Sequence, residues 1–415
     1  MSQTEVQLIK TDAVQTGDIA NSAVTDAKIA GLTSSKLTGA LPAISGAALT
    51  NLPASGKAKN LIINGAMQVA QRGTSSTVNG YGSLDRWQFN YGGHDNPITQ
   101  SKINVAPTET GAGTAGFRNA FRITNGNQTS GFGAADYFQF QQFIEDQNIA
   151  NSGWIVNDPN SNITVSYWIR SSVAQEYFGF VETYHGDDWM YGWSTGVLSA
   201  NTWTKITKTI PGRSNLTWGN DNGHGLLVAP VTLWGTNYTD SSVPNDAWHQ
   251  YFSSSRTPDS TSTWWTTNGA TIDITGVQVE VGSSATDFEF RSIDEELAKC
   301  QRYFYSAMNA NGAGEYMGWG IYLGSGKMMS VWYMPQPMRT NATVSFPTGT
   351  NYYGIYRADG NDQFDSLGSI LGPSKFAGNY FVNIEILSGV SSTGGYSGTI
   401  SAANSAVYVH FSAEL

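Results

Sequence analysis

A chain of 415 residues is too long for one ordinary core, and domains of roughly 100–200 residues would divide it into two or three pieces. Only 13% of the residues are charged, against 46 Gly, 13 Trp and 20 Tyr, a balance that favours turns, broad half-buried aromatic surfaces and hence an all-β architecture. The formal net charge of −10 would repel phosphate, which argues against nucleic acid and anionic membrane as partners and suits a neutral, polar ligand better.

Residues 1–56 read as a low-complexity stalk. No Phe, Tyr or Trp precedes Tyr81, so this stretch cannot build a core in one chain. Ile9, Val14, Ile19, Val24 and Ile29 nevertheless recur every five residues, and Leu32, Leu37, Leu41, Ile44, Leu49 and Leu52 continue at spacings of three to five. That period fits neither coiled coil, single helix nor strand. Two readings stay open, a disordered tail and a thread that orders around an axis shared by several copies; the second leads us to expect a parallel homotrimer. Pro53–Lys59 reads as a linker. The start, Met1–Glu5, is polar and no apolar run reaches signal-peptide or membrane length, so synthesis in a cytoplasm without export by the usual route is expected.

Residues 57–290 carry short runs of period two between Gly, Asn, Asp and Ser clusters: 60–65, 117–124, 162–170, 203–211 and 270–280. Alternation with turn residues between predicts a two-sheet antiparallel sandwich, with a jelly roll as the natural candidate. Ser292-Ile-Asp-Glu295 has the form of a capping box, in which the serine oxygen accepts the Glu295 amide and the carboxylate returns to the serine amide. It predicts a connecting helix over 291–304, with Ile293, Leu297 and Phe304 near helical spacing. Cys300, the only cysteine, is read as a small buried residue, and an intrachain disulfide or multi-cysteine zinc site is excluded. Residues 305–415 are again β, through 326–334, 340–346, 379–387 and 406–411, and predict a C-terminal β-sandwich.

The segments Asn60-Leu-Ile-Ile-Asn-Gly-Ala-Met-Gln-Val69, Asp85-Arg-Trp87, Ile274-Thr-Gly-Val-Gln-Val-Glu-Val-Gly282 and Ala285-Thr-Asp-Phe-Glu-Phe-Arg291 resemble a group of bacteriophage tail fibre proteins. In that group such segments bracket a jelly roll similar to carbohydrate-binding modules. Glu295-Glu-Leu-Ala-Lys-Cys-Gln-Arg-Tyr303 and the ending Ala413-Glu-Leu415 resemble the same group. The resemblance implies a structural protein of the virion tail, made in the host cytoplasm. Such a protein would be a receptor-binding fibre that is no enzyme, attached through its N-terminus to a tail or baseplate protein and adhering to host-surface glycans. The alternatives are a tail-associated glycan depolymerase and another virion fibre, on the head or baseplate.

Catalytic and metal signatures are missing from the sequence. His94, His185, His224, His249 and His410 never pair at metal-ligand spacing, and there is no His-Glu-x-x-His or phosphate-binding loop, so no catalytic residue, metal or cofactor is assigned. The run from Glu182 to Asp188 is the one local carboxylate cluster worth weighing for sugar-bond cleavage, against the plainer reading of acidic turn formers. The stronger signal is aromatic. Trp189, Tyr191 and Trp193, with Trp264 and Trp265, sit among Gly, Asp, Ser and Thr, and are expected to be partly exposed and to stack on sugar rings. Trp332, Tyr352, Tyr353 and Tyr356 form the alternative site, at the C-terminal tip.

Overall fold

The computed structural model describes residues 59–310, 312–324, 326–371, 381–386 and 389–415; the expected stalk, residues 1–56, lies outside the described residues. Those residues belong to one compact unit, Ala54–Leu415. Its first part holds β1 (Ser75–Ser76), β2 (Gln88–Gly92), β3 (Thr99–Asn104), β4 (Asn119–Thr124) and β5 (Tyr137–Glu145). Helix α1 (Asp146–Ala150), β6 (Asn162–Ser171), β7 (Glu176–Thr183), β8 (Trp189–Val197), β9 (Thr204–Pro211) and β10 (His224–Trp234) follow. It closes with β11 (Ala247–Gln250), helix α2 (Thr263–Thr266) and β12 (Thr271–Val281). The strands form two antiparallel six-stranded sheets, ordered β1-β3-β4-β12-β6-β9 and β11-β8-β7-β10-β5-β2, which makes the jelly-roll sandwich that the alternating runs predict.

Alternation builds the core between them. In β6 the inward Ile163, Val165, Tyr167 and Ile169 are fully buried, and β5 contributes Phe138 and Phe140 from the opposite sheet. Bulges interrupt the long central strands. Pro230 sits in β10 between Val228 and Val231, where the ladder shifts register and its missing N–H is tolerated. The matching shift in β12 lies between Thr275 and Gln278; Gly276 there has φ +64° and lies against the Phe117 ring, where a Cβ would stand 2.4 Å from a ring carbon.

The run 60–65, expected as a strand, is instead an irregular plug against β12. Asn64, at φ +59°, explains the difference: its side chain donates to the Val69 (2.8 Å) and Asp85 (2.9 Å) carbonyls and accepts from the Gln68 and Val69 amides, which satisfies a tight turn that a straight strand cannot make. Asn60 bridges to β12 through the Val277 carbonyl (3.1 Å) and the Val279 amide (3.0 Å), and Trp87 Nε1 donates to the Asn64 carbonyl (3.0 Å). A Cβ on Gly65 would lie 2.2 Å from the Val277 oxygen, so only glycine permits this approach.

Helix α3 (Ile293–Gln301) follows, and half of the expected capping box forms. Ser292 Oγ accepts the Glu295 amide at 3.2 Å, whereas the Glu295 carboxylate lies 3.8 Å from Arg291 Nε and 3.9 Å from Lys299 Nζ. Ile293 is exposed, contrary to the helical-spacing expectation, and Glu296 is buried in its place because it accepts the Asn64 amide and sits 3.6 Å from Arg291. Cys300 is buried, and its thiol is pushed well up by the loss of solvent.

The C-terminal part contains β13 (Phe304–Asn309), β14 (Glu315–Gly324), β15 (Lys327–Tyr333), β16 (Thr343–Ser345), β17 (Tyr353–Arg357), β18 (Gly360–Phe364), β19 (Ser369–Leu371), β20 (Phe381–Ile386), β21 (Ser397–Ala402) and β22 (Tyr408–Ser412). A three-stranded sheet, β13-β22-β16, and a seven-stranded sheet, β18-β17-β21-β14-β15-β20-β19, enclose a second core that includes Tyr322, Met328, Ile355, Ile400, Val409 and Phe411. This is the expected C-terminal sandwich, so the molecule is all-β apart from three short helices among the described residues.

Candidate functional site: a cleft on the outer face of one sheet

The five aromatics expected on exposed loops do not form a site. Trp189-Met-Tyr-Gly-Trp193 is strand β8, whose alternation turns Tyr191 and Trp193 inward; Trp193 is fully buried and donates from Nε1 to the Tyr167 hydroxyl across the sandwich (3.0 Å). Trp264 and Trp265 lie on the single turn α2, both fully buried, packed on Phe138 and Phe132 respectively. Asn125 clamps that turn by donating to both tryptophan carbonyls, so neither ring faces out. Trp189 alone is partly exposed, and the Arg213 guanidinium covers its ring at 3.4 Å. At the alternative tip, Trp332 and Tyr353 belong to the second core, Tyr352 is half-buried, and only Tyr356 is exposed.

A different set of residues converges on the outer face of the sheet that contains β5, β7 and β10. Strand β5 reads Tyr-Phe-Gln-Phe-Gln-Gln-Phe from residue 137, and its alternation sends Phe138 and Phe140 to the core and Tyr137, Gln139 and Gln141 outward. The ladder sets Tyr137 opposite Trp234, Gln139 opposite Asn90, Gln141 opposite Gln88, and Leu227 opposite Glu182. Tyr238, Tyr251 and Arg256 close over this row from the connections after β10 and β11. The result is a cleft of about 340 Å³ lined by these residues, Gln88 excepted, together with Tyr184. Its size suits one or two rings of a small polar ligand.

Packing fixes the walls. Trp234 stacks on Tyr137 (5.0 Å, 15°), Tyr238 leans on both, and the Arg256 guanidinium lies 4.5 Å from the Trp234 ring. The tryptophan is thereby a buried support, while Tyr137, Tyr184, Tyr238 and Tyr251 keep part of their rings open. Gln139 donates to Gln141, which donates in turn to Gln88, a chain that holds the amides in one orientation. Trp234 Nε1 and Arg256 Nε are buried with no protein acceptor, the state of donors that a ligand or water satisfies.

Glu182 is the one carboxylate among the residues lining the cleft. Loss of solvent pushes its carboxyl up to about 7, against the opposing pull of Arg256. Because that value exceeds the ordinary 4.5, the stability that the group contributes is full below about pH 4.5 and is lost as pH rises through 7. Glu182→Gln copies the protonated form. The melting temperatures of wild type and variant should differ least near pH 5, and the wild type should fall below the variant near pH 8; a gap independent of pH would contradict the assignment. Of the rest of the run weighed as a carboxylate cluster, His185 pairs with the buried Asp146 and Asp187 is exposed, while Asp188 stays near enough to Glu182 to push its carboxyl further up. Among the described residues no three His, Cys, Asp or Glu side chains gather as a metal site.

Fold and cleft together define a jelly-roll protein with a tyrosine- and amide-lined groove across one outer face. No family model matches the chain, and no curated protein matches it in sequence. Distant structural likenesses include the enzymatically active domain of tailspike protein 4 of bacteriophage CBA120, 12% identical over 54% of this chain and 21% of that one, with a TM-score of 0.29. Others are the family 11 carbohydrate-binding module of a cellulosomal cellulase of Clostridium thermocellum (11% identity, 51% and 96% covered, TM-score 0.23) and the N-terminal cellulose-binding domain of Cellulomonas fimi β-1,4-glucanase C (11%, 52% and 97%, 0.23). This chain spans about a fifth of the tailspike domain's length. Likenesses of this degree assign neither ligand nor activity.

Proposed function

We propose that the protein is an adhesive fibre of a bacteriophage tail that holds host-surface glycans in the cleft over β5 and β10 and does not cleave them. The observation that carries the glycan reading is the juxtaposition of half-open tyrosine rings with oriented amides. Ring faces accept the C–H side of a sugar, and the Asn90 and Gln139 amides offer partners to its hydroxyls. The placement in a virion tail, attachment through residues 1–56 and assembly as a homotrimer rest on the sequence resemblance and on the period of the stalk. Three tethered copies would convert a weak single site into useful avidity.

A depolymerase is the competing reading, and Glu182 favours it, as a carboxyl raised to about 7 is suited to protonating a leaving group. Glycoside hydrolysis ordinarily needs a second carboxylate across the sugar, and the carboxylate that acts on Glu182, Asp188, is outside the residues lining the cleft. Incubation with purified lipopolysaccharide or capsule separates the two. Adhesion predicts retention of the polysaccharide at unchanged chain length; shortening that Glu182→Gln abolishes would replace adhesion with cleavage.

A further inference from the structure

The outer faces of β14, β15 and β17 in the seven-stranded sheet carry a group of exposed apolar side chains. Strand β14 turns Tyr322 into the core and Trp319, Ile321 and Leu323 away from it. Trp319 and Tyr356 both pair with Thr399 of β21, so the two rings share a face, and a bulge after Tyr316 brings that ring into contact with Tyr356 at 5.9 Å. Val331 of β15 extends the patch. Tyr316 is 66% exposed, Trp319 68%, Leu323 50% and Tyr356 44%. No charged residue occurs in 316–324, in 328–333 or in β21, although the molecule as a whole is strongly acidic.

We propose that this face is an interface between copies of the chain, built into the C-terminal region and separate from any axis formed by residues 1–56. Six side chains of this size and exposure present on the order of 500 Å², the upper end of what a monomer leaves in one apolar patch and enough to form the centre of an interface of about 800 Å² per partner. A charge-free surface is best matched by another charge-free surface, and a second copy brings one at equal concentration. The chemistry fits a sugar poorly, because Ile321, Leu323 and Val331 stand between the rings and Asn361, opposite Tyr356 on the edge strand β18, sets its amide at the margin of the patch.

Hydroxyl-radical footprinting of the full-length protein reads the face directly, whatever holds the copies together elsewhere. Trp319 should be protected at micromolar concentration, and its oxidation should rise roughly fivefold in Leu323→Lys, or on dilution to nanomolar, as association is lost by mass action. Leu323 is half-exposed, so Leu323→Lys should keep a cooperative melt, and Val197→Lys, at an exposed position elsewhere, should leave Trp319 protected. Trp319 oxidised at one rate in wild type and Leu323→Lys across that range would overturn the proposal. So would protection that arises only when surface polysaccharide is added.

Discussion

Glu414→Ala should destabilise the folded unit by about 3–5 kcal/mol, the usual result of removing one partner of a buried ion pair. Arg86 is fully buried, its guanidinium stacked at 3.5 Å on Tyr303 and bonded to the Phe143 carbonyl (2.7 Å) and the Glu414 carboxylate. Arg72 reaches the other Glu414 oxygen at 3.0 Å, with its own guanidinium over Phe304, and the Tyr81 hydroxyl donates to the Leu415 carbonyl (2.9 Å). Glu414 and Leu415 are therefore set against the jelly roll, and loss of Glu414 would strand a cation where water cannot reach it. Denaturant unfolding of the full chain measures the effect. The double variant Arg86→Met/Glu414→Leu, which removes both charges, should recover most of the loss. A change within about 1 kcal/mol for Glu414→Ala would show that water reaches Arg86 and compensates. The same contacts explain why a cut between residues 303 and 304 is a poor way to test the two β regions separately: it would uncover Arg86.

The residues that made the sequence resemble tail fibres turn out to be neighbours in this knot. Asn60 and Asn64 tie the plug to β12 and to Asp85, Arg291 donates to the Ile62 carbonyl (3.0 Å), and Arg86 meets Tyr303 and Glu414. They were legible because each fills a fixed hydrogen-bonding or ion-pairing position, and for that reason they speak of fold rather than ligand. The strands from 162, 204 and 271 were legible from period two alone. The same period was present in Trp189-Met-Tyr-Gly-Trp193, where the neighbouring Gly and Asp suggested a loop and concealed an inward row. The cleft was hidden by distance in sequence, its walls coming from residues 90 to 256. One local signal did point to it: the outward positions of β5 are Tyr137, Gln139 and Gln141, where a solvated face would carry charged side chains.

Tyr238→Ala should lower affinity for a bound glycan about tenfold, near 1.4 kcal/mol, because it deletes a half-open ring that also steadies Tyr137 and Trp234. Gln139→Ala should have a comparable effect by breaking the amide chain to Gln141 and Gln88. Together the two should remove detectable binding at a site that is weak in single copy. Neither residue belongs to the sandwich core, so melting should change little. Binding to an array of bacterial surface oligosaccharides, measured for wild type, Tyr238→Ala/Gln139→Ala and the exposed control Val197→Ala, tests the cleft most directly. The account predicts binding by wild type and control and none by the double variant; equal binding by all three, with the double variant folded, would contradict it.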